Sequence, residues 1–155
     1  MARLQHWVTK HWTPQNAAVS EGAVDWTVSF TELPGAAVVR TGGVFNVADH
    51  RRMVADIVGR QEWRPGYPIL FDHRQLDFGG AGLADMRRAR EIHLAHEADI
   101  GTARSAILMK SAADYGLGRQ FQLLTADSTS AELRIFDNEP AAREWLFAPK
   151  ASQPK

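Results

Sequence analysis

From residue 24 the chain alternates. Val24, Trp26, Val28 and Phe30 share one parity, while Asp25, Thr27 and Ser29 hold the other. Period two over seven residues predicts a half-buried strand. Leu33-Pro34-Gly35 supplies a turn, since proline fixes φ and glycine permits φ > 0. Residues 37–40 (AVVR), extending as far as Phe45, predict a second strand and hence a hairpin. Gly42-Gly43 inside that run points to a bulge or a close backbone approach.

The period then changes. Asn46 is a good helix cap, and Val47, Val54, Ile57 and Val58 recur at helical spacing up to Gly59. After the break at Arg64-Pro65-Gly66, Ile69-Leu70-Phe71 reads as a central strand buried on both faces. A second helix is predicted from about Leu83 to Asp99, stopped by Gly101. Residues 106–109 (AILM) read as a strand, residues 112–124 as a helix weakened by Gly116 and Gly118, and residues 131–136 as a last alternating strand. Asp137 is placed to cap a final helix that carries Pro140 in its first turn. The order β-β-α-β-α-β-α-β-α predicts an α/β fold, a mixed sheet of about five strands with four helices.

Composition narrows the functions. With 155 residues the length fits one domain. We divide it into a leader (1–22), a domain (23–147) and a loose tail (148–155). The leader carries Trp7 and Trp12, expected to pack on the domain edge. Eighteen basic and eighteen acidic side chains give zero net charge, a poor match to the basic excess of a nucleic-acid binder. Cysteine is absent, which removes disulfides, thiolate nucleophiles and Cys-ligated zinc. No apolar run nears the ~20 residues of a transmembrane helix, and MARLQHWVTKHW lacks the apolar core of a signal peptide. A cytoplasmic protein is the expectation.

The stretch DHRQLDFGGAG (residues 72–82) poses the main chemical question. GAGLAD begins as G-x-G but has Asp85 where a dinucleotide fingerprint needs its third glycine, and HRQLDF separates the glycines from the predicted strand. No GK[ST] or GxSxG motif occurs. EIHLAHE puts His93 and His96 on the apolar face of the second predicted helix, which favours packed histidines over a zinc site, for which no further ligand cluster is visible. Such a histidine is a candidate pH-sensitive packing contact. Arg87, Arg88 and Arg90 point in different directions from that helix, as on a solvated face. Gly79, Gly80 and Gly82 at its start offer an alternative anion site, weakened by Asp85 in the first turn. Asp72 ends a buried strand, where a catalytic acid could stand; holding the following loop is the role expected of it. His73 should point to the opposite face.

PILFDHRQLDFGGAGLADM resembles the STAS domain pattern: strand, D-x-R, a loop with an aromatic, then a G-L helix start. ARSAILMK, YGLGRQF and RIFDNEPAAREWL extend the likeness over about residues 23–147. The chain resembles SpoIIAA-like (STAS/SEC14-type) proteins, relatives of anti-sigma-factor antagonists. The resemblance implies a SpoIIAA-like sheet and a bacterial, regulatory, non-enzymatic role. Signalling members carry a phosphorylatable serine in a D-S-[ST]-G-L-like loop; aligning Gly82-Leu83 with G-L puts Gly79, Gly80 and Ala81 where D-S-S would stand. No hydroxyl is left there for a kinase to charge. We therefore expect a protein-interaction module, needing no cofactor or metal, that uses Asp72, Arg74, Gly79, Gly80, Ala81, Gly82 and Leu83 for a protein partner or an anion. Leu94, off the apolar face, is a further candidate contact. Homo-oligomerisation is left open, and a carrier of small apolar ligands or lipids of SEC14 type is the alternative.

Overall fold

The computed structural model describes residues 23–149. The leader, with its two tryptophans, and the tail from residue 150 lie outside the described residues. Five strands, β1 (Val24–Ser29), β2 (Ala37–Val44), β3 (Ile69–Asp77), β4 (Arg104–Leu108) and β5 (Glu132–Phe136), form one sheet in sequential order. β1 runs antiparallel to β2 and all other neighbours are parallel. The helices are α1 (Val47–Gly59), α2 (Leu83–Ala95), α3 (Glu97–Ile100), α4 (Ala112–Thr125) and α5 (Glu139–Phe147).

The predicted hairpin forms. Gly43 has φ +80°, and a Cβ there would lie 2.0 Å from the Ala23 carbonyl oxygen, so the close approach anticipated at Gly42-Gly43 is real. Asn46 caps α1 by accepting the Asp49 N–H at 2.8 Å. The last helix is capped by Asn138, which accepts from Ala141 N–H at 2.9 Å, one residue beyond the expected Asp137. The expected four helices are five. The second breaks at His96, where φ −106° and ψ 15° end α2, and one further turn, α3, follows before Gly101.

Sheet chirality puts the three crossover helices on one face. Met53 and Ile57 of α1, Met86 of α2 and Phe121 of α4 pack there, against the layer of Val39, Phe71 and Ile107. On the other face, among the described residues, α5 alone lays Ala142 and Leu146 over Val38, Leu70, Ala106 and Leu108. No helix among the described residues is long and apolar enough to cross a membrane.

β3 is longer than its apolar core suggests. It runs through Asp77, whereas β4 accompanies it only as far as Asp72. Beyond that point only β2 pairs with it, and the register slips between Arg40 and Gly42 because His73 and Arg74 together oppose Thr41. This bulge also resets the alternation: Phe71 and His73 face the helices, and so do Leu76 and Phe78.

Candidate functional site

Extension of β3 changes the geometry around DHRQLDFGGAG. The segment is not one long loop: Asp72 and Arg74 sit within the strand, and only residues 78–82 connect it to α2. The glycines thus follow their strand almost directly, so the separation that argued against a nucleotide turn does not exist in the fold. The hydrogen bonding argues against that turn instead. Gly79 N–H donates to the Asp77 carboxylate at 2.7 Å, Ala81 N–H to the Phe78 carbonyl at 3.0 Å, and Gly82 N–H to the Asp85 carboxylate at 2.9 Å. Three of the four amides of Gly79–Gly82 are therefore already engaged, and two face carboxylates that would repel an incoming anion. Gly79 takes φ +55°, the left-handed region natural to glycine. Gly79 and Gly80 are exposed, Ala81 and Gly82 half-buried, and Leu83, first residue of α2, is 44% exposed.

Asp72 belongs to a different assembly, on the α5 face. Its Oδ1 accepts the Arg74 backbone N–H at 3.1 Å and Nε at 2.9 Å; its Oδ2 accepts Arg74 Nη2 at 2.8 Å and Arg40 Nη1 at 2.5 Å. Arg74 also reaches Glu139 at 2.8 Å, Arg143 pairs with Glu139 at 2.7 Å, and Glu32 pairs with Arg40. Three guanidiniums thus meet three carboxylates. The hydrogen bonds from Arg74 outweigh the cost of burial and hold the Asp72 carboxyl down at about 2, while the same pairing raises Arg74. A carboxylate so held has no proton to give near neutrality; it ties β2 and β3 together at their rim and does not hold the following loop, the role expected of it. Arg40 and Glu139 are partners that local patterning could not reveal, because they come from β2 and from the start of α5.

His73 does point the other way. Its Nδ1 lies 2.7 Å from the Thr41 hydroxyl, with Phe71 and Phe78 around the ring. Nearby, His50 of α1 and His93 of α2 stack with centroids 5.4 Å apart and their Nε2 atoms 3.3 Å apart. That contact works when one nitrogen donates and the other accepts, which needs two neutral rings. Burial lowers His50 and His93 to about 3 and His73 to about 4; repulsion from His73 reinforces the drop in His50, repulsion from His50 and His96 reinforces it in His93, and Asp72 opposes it in His73. Of this set, sequence reasoning singled out His73 and His93 and missed His50, although His50, Met53, Val54 and Ile57 form a helical stripe. His96 is separate: its Nδ1 is 3.5 Å from Asp99. Among the described residues no group of three or more His, Cys, Asp or Glu could hold a metal ion. Arg90 leaves the expected solvated face and ties α2 to α4, donating to the Leu124 carbonyl at 3.0 Å and the Ser128 hydroxyl at 2.8 Å. Leu94 is half-buried.

No protein-family model matches the chain, and no curated protein is significantly similar to it in sequence. Among solved structures the chain is similar to an uncharacterised protein of the DUF3478 family with a SpoIIAA-like fold from Shewanella loihica PV-4. The two share 17% identity and a TM-score of 0.53, over 79% of this chain and 93% of that one. Together with the sheet order and the helices described above, this likeness establishes that the chain has a SpoIIAA-like fold.

Proposed function

We propose that this protein is a non-enzymatic interaction or regulatory module, in which the loop at Gly79–Gly82 and the first turn of α2 form the contact surface. The supporting observation is Leu83: a large apolar side chain, 44% exposed, beside a loop whose amides are mostly satisfied internally. Such a surface offers shape and apolar area to a protein, and little to a free anion. At the positions where the resembled signalling loop has its serine stand Gly79, Gly80 and Ala81, so regulation here proceeds without phosphorylation at that place. An apolar-ligand carrier needs at least ~300 Å3 of enclosed space. Among the described residues, two apolar cavities between sheet and helices hold about 20 and 40 Å3, which favours the interaction reading.

The test is affinity capture from the source cells with wild-type protein and Leu83→Asp, quantified by mass spectrometry, with thermal melts of both. The reading expects a specific partner lost by at least about tenfold, the scale of one buried contact residue, with unchanged melting. Identical partner profiles from two equally folded proteins would overturn it.

A further inference from the structure

β5 is an edge strand, paired with β4 alone among the described strands. Its backbone polarity can be assigned. Glu132 N–H donates to Ala103, and Phe136 accepts from Met109 N–H, so the even-numbered residues of β5 turn their amides and carbonyls inward. Ala131, Leu133 and Ile135 turn theirs outward. Two of the outward carbonyls meet hydroxyls at long range: Ala131 accepts from Thr129 at 3.4 Å and Ile135 from Tyr115 at 3.5 Å. Those contacts are at the weak end of hydrogen-bond geometry, and a strand amide at ~2.9 Å would improve on them. Along the same edge lies an open slot of about 360 Å3. Gln122 of α4 and its C-cap Ala126 line one side, Trp145 of α5 the other, and Glu132–Arg134 the floor. A slot touching helices from both faces of a sheet must run along its rim.

We propose that the occupant is β5 of a second copy, paired antiparallel about a two-fold axis at Leu133. Backbone parity limits the choice of register. Outward-facing residues must stand opposite outward-facing ones, and inward opposite inward, so the axis passes through a residue and not between two. At Arg134 it would set that cation against its own copy, which like-charge repulsion disfavours, and at Leu133 it does not. With the axis at Leu133, Glu132 stands opposite Arg134 of the partner subunit, and the reverse, at the two close non-hydrogen-bonded positions. Both side chains are exposed and lie on the same face of the sheet. Opposite charges in such pairs attract, and like charges repel. A charged edge usually deters pairing; here the charges are self-complementary. The β1 edge provides the contrast. Its Val24 N–H is already taken by Asp49 at 2.9 Å, and Asp25, Thr27 and Ser29 offer no complementary pair.

Light scattering coupled to size exclusion, from low to high micromolar concentration, tests this on the full chain. Wild type should approach twice the monomer mass. Arg134→Glu and Glu132→Arg should each weaken the dimer by at least about tenfold, since two attractive pairs become repulsive, and the double swap should restore it. Circular dichroism confirms folding. If Glu132→Arg misfolds through loss of its contact to Arg104 (3.4 Å), the test stands on Arg134→Glu, whose side chain, among the described residues, only stacks on Phe136. A chain that stays monomeric at high micromolar concentration, or a dimer that ignores Arg134→Glu, overturns the proposal.

Discussion

Asp72 and His73 are consecutive residues of one strand, about equally buried, at 7% exposure each, yet the two faces of the sheet treat them in opposite ways. On the α5 face two arginines surround a carboxylate and hold it charged. On the three-helix face, aromatic rings and a threonine hydroxyl surround an imidazole and hold it neutral. Burial disfavours charge in both places. On the α5 face hydrogen bonds from guanidiniums outweigh that cost; on the other face nothing does, and the proton is given up. The contrast follows from coverage. α5 is one short helix that leaves the rim open for long charged side chains, whereas α1, α2 and α4 close the other face.

The difference is easiest to break with acid. His50, His73 and His93 titrate in the fold at about 3, 4 and 3, below the free imidazole value of about 6.5. The unfolded chain therefore binds protons first. The stability of the neutral cluster is complete above pH ~6.5 and drains away as pH falls toward 4. Three such groups make the loss up to about 4 kcal/mol per pH unit, enough to unfold a typical domain near pH 5. Urea titrations at pH 7, 6 and 5 measure it. Replacing His50 with Gln should flatten the slope by about one proton. A stability that does not change between pH 7 and 5 would contradict the neutral cluster.

The charged face should respond in another window. Asp72→Asn keeps the shape but removes the charge that Arg40 and Arg74 share, and should cost about 2 kcal/mol at pH 7, less than a fully buried pair because both arginines are a third exposed. Asp72 is depressed to about 2 from a free value of 3.8. Its contribution is present above pH ~4 and disappears as pH falls through 2. Between pH 7 and 5, above its window, the variant should keep the histidine slope of the wild type. Since the histidines limit folding in acid, urea curves for the two proteins at pH 7 carry the comparison, and equal stability there would argue against the network.

These two environments were unequally legible. Opposite directions for Asp72 and His73 follow from period two alone, and the strands and the larger helices follow from hydrophobic spacing. The length of β3 does not. HRQLD is polar because β4 has ended beside it, so that segment no longer needs apolar side chains on both faces, and the bulge at His73-Arg74 then breaks the alternation. His50 sits among Asp49, Arg51 and Arg52 and looks like solvated surface until α2 is laid beside α1. Arg40, Asp72 and Glu139 are separated by 32 and 65 or more residues. Nothing local links them, since it is the packing of α5 over the sheet that brings Glu139 to the end of β3.

The tightness of the closed face offers the smallest and cleanest test. α4 contains two glycines, both expected to weaken it, but they sit in different surroundings. A Cβ on Gly118 would lie 3.1 Å from Ile135 Cδ1 and 3.1 Å from Met109 Cε, where α4 presses on the sheet, whereas a Cβ on Gly116 would meet nothing within 4 Å. Helix propensity favours alanine by about 1 kcal/mol at both sites. At Gly116 that gain should appear in full, as a higher midpoint in thermal or urea unfolding. At Gly118 the new methyl must displace two core side chains in a layer packed like a crystal, and the strain should cancel the gain or reverse it. Equal stabilisation by the two alanines would mean that the closed face has slack. The exclusion of water and charge from the histidine cluster would then need another cause.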